Sequence, residues 1–495
     1  MPQAVWGNPP DRAVRGTLLV LIMGAAVLLY AQFFSAFAVP YPDFFQYWED
    51  ALAYLQGTVP MASKRLPLFP LMIGELSRLL PGPHAIMLAA QLLNLALAPV
   101  CLWLIDRIAR TFVQPSTSLA VVALCAVNST LYYAAVEPNL EMTILASVLL
   151  VIHLAQRGSG WAYAAAFLAG LTRHDILPLI PVLVLQDVAL RRRSQYRSVV
   201  WGALAGSGFL AWTVLNLWHT TLLGHPYVAG LLARDGHPLE FLGGSLRVMA
   251  DFLPAWLVQF DVARRTIWLI QFGLLAAGFR VLAHRHGARA MLLIGFFLAY
   301  SVVHTAFPSY LPRYTMPVLW IAYLAMAAAL EAGAERARVF RARPVLAAAA
   351  LLLCAMAASG IASSVRFMRS YYVLTNRATF RQAGEWYRTS ARPGDTLVTT
   401  LPRIIRYYSG LPDASVVWSA SLASSSPEAL LDELRARGVT YLLWDNKYGY
   451  DTSYDAGRYK ARLLTELTER FPGALEPVRR FRVGREEAVV YRVRP

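Results

Sequence analysis

The residues best equipped for chemistry stand at the ends of this sequence's apolar runs. Asp43 opens PDFFQYWEDALAYLQG, Glu137 lies in VEPN, and Lys64 and Arg65 precede LPLFPL. Arg173, His174 and Asp175 fill the turn LTRHD, and Arg313 lies in LPRY. A carboxylate placed this way can take a proton from a hydroxyl group. Guanidinium and ammonium groups grip phosphate and stabilise charge developing on a departing oxygen. The set therefore suits displacement of a phosphate leaving group by an alcohol. Asp43 would be the base, Glu137 would support the base or the acceptor, and Lys64, Arg65, Arg173, His174 and Arg313 would hold the phosphate. A single displacement inverts the centre attacked. Tyr47 and His304 are weaker candidates, one to orient a substrate ring and one as a further proton-handling group. Each also has a plainer role open to it: Asp43 as a helix N-cap, Tyr47 as an interfacial aromatic, His304 as a packed histidine.

The elements that must carry these residues are apolar. Of 495 residues 57% are apolar and 15% charged, too apolar for a soluble domain and too long for one core. Runs of about twenty apolar residues, the length that crosses a hydrocarbon layer, recur at 16–37, 85–105, 117–136, 139–156, 198–218, 265–283, 289–307, 313–331 and 344–365, with two shorter runs, 160–172 and 175–190, that could be tilted, broken or partly re-entrant. The first has no small-residue cleavage site and is expected to stay as an anchor. Arg12 and Arg15, Arg107 and Arg110, RRRSQYR, RVLAHRHGAR and ERARVFRAR fall in alternate short loops. Eleven spans put all of them on one side, with the N-terminus cytoplasmic and the C-terminus outside. The net charge of +16 is then a topology signal, and nucleic acid is not an expected partner.

The outward segments are 38–84, 136–139, 172–175, 219–263 and 308–314. Residues 43–57 are expected to form an amphipathic helix lying in the membrane interface, its aromatic residues at headgroup depth and Glu49 and Asp50 facing water. A channel or proton-driven transporter would instead bury ionisable groups near the midplane. The loop 219–263 has apolar stretches too short to span and is expected to rest on the membrane. His225, Asp235 and His237 within it match no common zinc spacing, and no metal or other cofactor is expected. Cys101, Cys125 and Cys354 all lie in apolar runs and read as small core residues.

Beyond residue 370 the composition is that of a soluble domain, which divides the chain into 1–370 and 371–495. FRQAGEWYRTS reads as a helix and GDTLVTT as a strand. SPEALLDELRARGV reads as a helix with Ser426 as N-cap and Pro427 at its first position. TYLLWD is a strand, AGRYKARLLTELTERF a helix, and EPVRRFRV with EAVVYRV a closing pair of strands. Alternating strands and helices predict a small α/β layer. It has no glycine-rich phosphate loop and no nucleophile elbow, and the role expected for it is a lid or an acceptor platform.

PDFFQYWEDALAYLQG followed by KRLPLFPLMI, VEPNLEMTILASVLL, AFLAGLTRHDILPLIPVLVL and LPRYTMPVLW, in that order over residues 16–330, resembles the membrane glycosyltransferases of the GT-C superfamily. The branch is the bacterial one related to protein O-mannosyltransferases and aminoarabinose transferases (GT39/GT83-like). The resemblance implies a polytopic α-helical membrane protein of GT-C fold, with about eleven transmembrane helices and a small extracytoplasmic C-terminal α/β domain. It implies a bacterial inner-membrane location and inverting transfer of a sugar from a polyprenyl-phosphate donor on the periplasmic side; glycan, lipid and protein acceptors all stay open, with a glycan or lipid preferred over protein. The first-loop acid of the family, its catalytic base, falls on Asp43, and the second-loop acid before proline falls on Glu137. The donor-phosphate cations fall on Arg65 and Arg173. Asp43 is followed by Phe44 where many relatives carry an adjacent acidic pair, and Leu66-Pro67 stands for the usual double proline. No Asp-x-Asp motif is present, so the metal-dependent oligosaccharyltransferase branch is not expected. A lipid-linked sugar transporter or flippase would explain the phosphate-binding cations equally well. An O-antigen-type ligase or polymerase would call for a more arginine-rich external loop than 219–263.

Overall fold

Each apolar run up to residue 337 is helical over most of its described residues. The computed structural model describes residues 9–32, 34, 39–60, 65–190, 192, 194–219, 238–249, 261–305, 312–337, 358–366, 377–411, 415–446 and 456–494. They divide into two units, one of Met1–Ser35 with Tyr47–Phe367 and one of Ala36–Gln46 with Met368–Pro495.

In the first unit, five helices among the described residues contain stretches long and apolar enough to cross a membrane: Pro9–Ala31, Ala85–Ala109, Gln195–His219, Asp261–His286 and Met316–Ala337. A sixth span is possible by length if Pro115–Val127 and Ser129–Val136, which meet at 60°, are taken together. Other runs form shorter helices, Glu141–Gln156, Trp161–Gly170, Leu179–Ala189 and Ala288–Thr305. A ten-residue helix such as Trp161–Gly170 extends only about 15 Å, half a hydrocarbon layer. The run at 344–365 lies mostly outside the described residues, of which 358–366 are helical.

The bend at 127–129 has a local cause. Asn128 is extended, its Oδ1 accepts from the Thr130 amide at 2.9 Å, and its Nδ2 donates to the Tyr323 hydroxyl at 3.0 Å. An asparagine among apolar helices must have its polar groups bonded; here capping a helix start does so. The same rule governs Asp106 at the far end of the Ala85–Ala109 helix. This fully buried carboxylate pairs with Arg15, with Arg110 Nε at 3.1 Å and with Ser118 Oγ at 2.6 Å. Arg15, expected only to set topology, thus also ties the first helix to its neighbours. Cys101 and Cys125 are free and buried; Cys354 lies outside the described residues.

The helix expected at 43–57 is Pro42–Leu55, with Asp43 in its first turn. Its aromatic side chains do not form an exposed belt, Trp48 and Tyr54 being half-buried. Phe44, Phe45 and Tyr47 are buried, Asp50 is buried as well, and Glu49 is half-buried. The apolar periodicity is real, but the surface it seeks is protein: Tyr47 packs edge-on to Phe69 with ring centroids 5.2 Å apart. The loop 219–263 is described only at 238–249 and from 261. Its Pro238–Met249 helix packs against the Ala288–Thr305 helix and the short 3-10 turn Pro312–Thr315; the apolar stretches expected to rest on the membrane, 226–236 and 252–260, lie outside the described residues. His225, Asp235 and His237 lie outside the described residues.

The second unit holds a five-stranded sheet of β1 (Leu397–Thr399), β2 (Val416–Trp418), β3 (Tyr441–Asp445), β4 (Leu475–Val483) and β5 (Glu486–Val493), in the order β2-β1-β3-β5-β4. β1 pairs in parallel with β2 and β3, while β5 is antiparallel to β3 and β4. The Pro427–Ala436 helix starts as its sequence dictates, with Ser426 Oγ accepting from the Ala429 amide and Pro427 first. Gly438, at φ +64°, turns the chain out of that helix. Leu430, Leu434, Leu463 and Leu467 bury one face against Val398 and Leu442. Residues 39–46 belong to this unit. Phe44 and Phe45 pack on Tyr407 with centroids 6.1 and 5.3 Å apart, and the Arg377 guanidinium lies 5.4 Å from the Tyr41 ring.

Candidate functional site

The first unit gathers most of the cations singled out in the sequence around one short turn. After the Trp161–Gly170 helix the chain extends at Arg173 and makes the 3-10 turn His174–Ile176. Asp175 is buried, and a buried carboxylate must be compensated. Its Oδ2 lies 2.9 Å from Arg173 Nε, 3.1 Å from His304 Nε2 and 3.5 Å from the Tyr300 hydroxyl. The Tyr300 hydroxyl also donates to the Tyr314 carbonyl at 2.8 Å. The His304 ring stacks on Tyr300 at 4.1 Å, and its Nδ1 sits 3.1 Å from the Tyr300 carbonyl.

Arg313, in the turn before the Met316–Ala337 helix, joins the group through an aromatic ring. The Arg173 and Arg313 guanidinium carbons lie 4.8 and 5.6 Å from the Tyr314 centroid, inside the range of cation–π attraction. Arg313 Nε is 3.5 Å from Glu141 Oε1, both residues buried. Arg65 approaches from the first loop. Leu68 donates its amide to the Leu171 carbonyl at 3.1 Å, drawing that loop to the head of the Arg173 turn, and Trp212 Nε1 donates to the Arg65 carbonyl at 3.2 Å. The Arg65 side chain stands over the Tyr47 ring at 4.8 Å, and its Nη1 donates to the Tyr47 hydroxyl at 3.2 Å.

Electrostatics follow from this crowding. Burial pushes His174 down to about 4, against the pull of Asp175 and with the charges of Arg173, His304 and Arg65 adding to the fall. His174 is therefore neutral at neutral pH. Burial alone would raise Asp175, but the Arg173 charge and the hydrogen bond from His304 hold it well below the usual carboxylate range. The region thus presents guanidinium groups whose repulsion is tempered by the carboxylates of Asp175 and Glu141. Forked donors held this way suit a phosphate oxygen pair.

Glu137 caps the Ser129–Val136 helix and is buried. Its turn is pinned from the Ala85–Ala109 helix: Asn94 Nδ2 donates to the Glu137 and Asn139 carbonyls, each at 2.6 Å, and Gln91 Nε2 to the Val136 carbonyl at 3.2 Å. Replacing Asn94 with Leu is expected to destabilise the protein by about 1–3 kcal/mol, the usual cost of a buried carbonyl left unbonded, read as a lowered thermal midpoint in detergent. An unchanged midpoint would mean that the turn does not depend on this side chain.

Of the residues expected at the site, Arg65, Arg173, His174, Arg313, Tyr47 and His304 lie in the first unit with the contacts above. Asp43 belongs to the second unit, at the start of a helix fixed there by Phe44 and Phe45 on Tyr407. Lys64 lies outside the described residues. The sequence did not single out Asp175 as the hub, nor Glu141, Tyr300, Tyr314 or Asn94. A signal existed for Glu141, a lone acid entering the apolar run of NLEMTILAS; for the tyrosines there was none.

No described protein family matches this sequence, and no curated protein is detectably similar to it in sequence. Solved structures are similar in fold. ArnT from Cupriavidus metallidurans bound to undecaprenyl phosphate superposes with a TM-score of 0.60 at 14% identity, over 96% of this chain and 97% of that one. The apo state of the same protein gives 0.58, also at 14% identity, over 97% and 98%. The archaeal oligosaccharyltransferase AglB from Archaeoglobus fulgidus, in complex with an inhibitory peptide and a dolichol-phosphate, gives 0.58 at 10% identity, over 88% and 70%. An end-to-end match to ArnT, together with helices fit to cross a membrane, identifies the architecture: the chain has the GT-C fold of these membrane glycosyltransferases.

Proposed function

We propose that the protein is an inverting glycosyltransferase that moves a sugar from a polyprenyl-phosphate donor to a periplasmic acceptor, a glycan or lipid before a protein. The observation that carries this proposal is the pair Arg173 and Arg313 on one tyrosine ring, each backed by a buried carboxylate, with Arg65 acting on His174 beside them. The fold is shared with proteins solved holding undecaprenyl phosphate and a dolichol-phosphate, which supports a lipid phosphate as the anion.

In the proposed reaction the bond between the anomeric carbon and the phosphate oxygen breaks, and the acceptor oxygen bonds to that carbon from the opposite face. Asp43 takes the proton of the acceptor hydroxyl, and Glu137 supports the base or the acceptor. Arg65, Arg173 and Arg313, with Lys64 and His174, hold the polyprenyl phosphate that leaves. Tyr47 and His304 serve this same face, orienting the sugar and carrying a proton. Side chains supply the positive charge, so the proposal invokes no metal ion. The protein would sit in a bacterial inner membrane with its N-terminus cytoplasmic and residues 371–495 periplasmic.

The test needs no sealed compartment, which separates transfer from transport. Protein purified in detergent and given polyprenyl-phosphate-linked sugars with a cell-envelope glycolipid fraction is expected to release polyprenyl phosphate and to add the sugar's mass to an acceptor, both read by mass spectrometry. If a panel of such donors turns over no faster than with heat-denatured protein, the proposal fails.

A further inference from the structure

Two close contacts hold Arg173, Nε on Asp175 and its flat face on Tyr314, while Tyr300 and Glu141 also act on its charge. Both leave the end of the fork, the two terminal nitrogens, for a bidentate partner. What decides the direction of that fork is Asp175. This carboxylate is almost wholly buried, and the groups on its Oδ2 come from two elements far apart in sequence: Arg173 beside it in the turn, and His304 and Tyr300 on the Ala288–Thr305 helix. Its Oδ1 accepts no hydrogen bond among the described residues. The negative charge is therefore compensated through one oxygen, and the loss of any partner there leaves it poorly compensated. Arg173, Asp175 and His304 should consequently behave as a unit rather than as three separate contacts.

We infer that Asp175 is a positioning residue of the donor site: it holds Arg173 by Nε against Tyr314 and locks it to His304, so that the guanidinium meets the donor phosphate end-on. The inference rests on the proposed function and deepens it, because it assigns the geometry of the phosphate grip to a residue that does not itself touch phosphate. Asparagine at position 175 keeps the shape and removes the charge. Arg173 could then swing off the ring, His304 would face a neutral amide in place of the carboxylate, and the phosphate would meet a mobile cation.

The experiment uses the full chain in detergent with two probes that differ only in the anion, undecaprenyl phosphate and undecaprenol. The wild type is expected to bind the phosphate lipid more tightly. Asp175→Asn and Arg173→Gln should each weaken that binding by about tenfold or more, the scale of one charge-assisted hydrogen bond, and leave undecaprenol binding unchanged. The double variant should be no weaker than the poorer single one, and Asp175→Glu should recover part of the loss. If Asp175→Asn binds the phosphate lipid like wild type while Arg173→Gln does not, the positioning role is overturned and the phosphate site survives. The positioning role is likewise overturned if the two losses simply add, or if Asp175→Asn loses both lipids together with its thermal stability, the mark of a purely structural residue. If the wild type does not distinguish the two lipids, the phosphate site itself is wrong and the inference falls with it.

Discussion

Asp43→Asn is expected to slow sugar transfer by about a thousandfold, within the range for loss of a general base, with donor binding and thermal midpoint unchanged. The substitution is nearly isosteric, so the helix start should survive it. Asp43 stands in the first turn of Pro42–Leu55, half-buried, where the helix dipole favours a negative charge. An asparagine there loses that small electrostatic gain but not its neighbours: Phe44 and Phe45 remain packed on Tyr407. What it loses outright is proton affinity. Asp43→Glu keeps the base and displaces it by about one carbon–carbon bond, and misplacement on that scale costs up to about a hundredfold. The expected order of rates is thus wild type, Glu, Asn. Purified variants compared in initial rate at saturating donor test this order. An Asn variant as fast as wild type would remove Asp43 as the base.

The helix start at Asp43 also marks how far sequence could reach. Apolar runs located the helices because burial in lipid or protein selects the same residue types, and for that reason they could not say which surface each helix meets. The periodicity of 43–57 was legible; that Phe44, Phe45 and Tyr47 are buried by protein, and that Asp50 is buried with them, was not. Local rules served better where the contact is local. Ser426 and Pro427 start their helix, and the strands Leu397–Thr399 and Tyr441–Asp445 fall within GDTLVTT and TYLLWD.

The interior of the site was legible only as a set of charges. Arg173 beside Asp175 is a neighbour in sequence, yet Tyr300 reaches that carboxylate from 125 residues away, and Arg313 finds Glu141 across a comparable gap. A single sequence carries no trace of such pairings, because each partner's type is common and only the fold brings them together. His304 is instructive. At the outer end of an apolar helix it fitted a packed histidine as well as a functional one, and the structure gives it both a stacked ring and a carboxylate.

The largest effect on folding is expected at a residue with no side chain. Gly278, in the Asp261–His286 helix, faces the Met316–Ala337 helix so closely that a methyl group there would overlap the Ala325 carbonyl. Membrane helices associate through such close approach, since lipid offers apolar side chains no reason to leave it. Gly278→Ala gains up to about 1 kcal/mol of helix propensity, but the atom it meets is backbone, which cannot rotate away, and overpacking of this kind costs about 1–3 kcal/mol. Gly278→Leu adds a branched chain to the same gap and is expected to leave little monodisperse protein in detergent. Gly273, on the same helix, is exposed with nothing within 4 Å of an added methyl group. Gly273→Ala should therefore be neutral or slightly stabilising, and the pair separates packing from propensity. The consequence reaches the site, because Arg313 and Tyr314 lie in the turn that leads into the Met316–Ala337 helix. Parting the two helices should weaken binding of undecaprenyl phosphate as well as stability. Thermal unfolding of the two alanine variants side by side decides it: equal midpoints would mean that these backbones are not in contact.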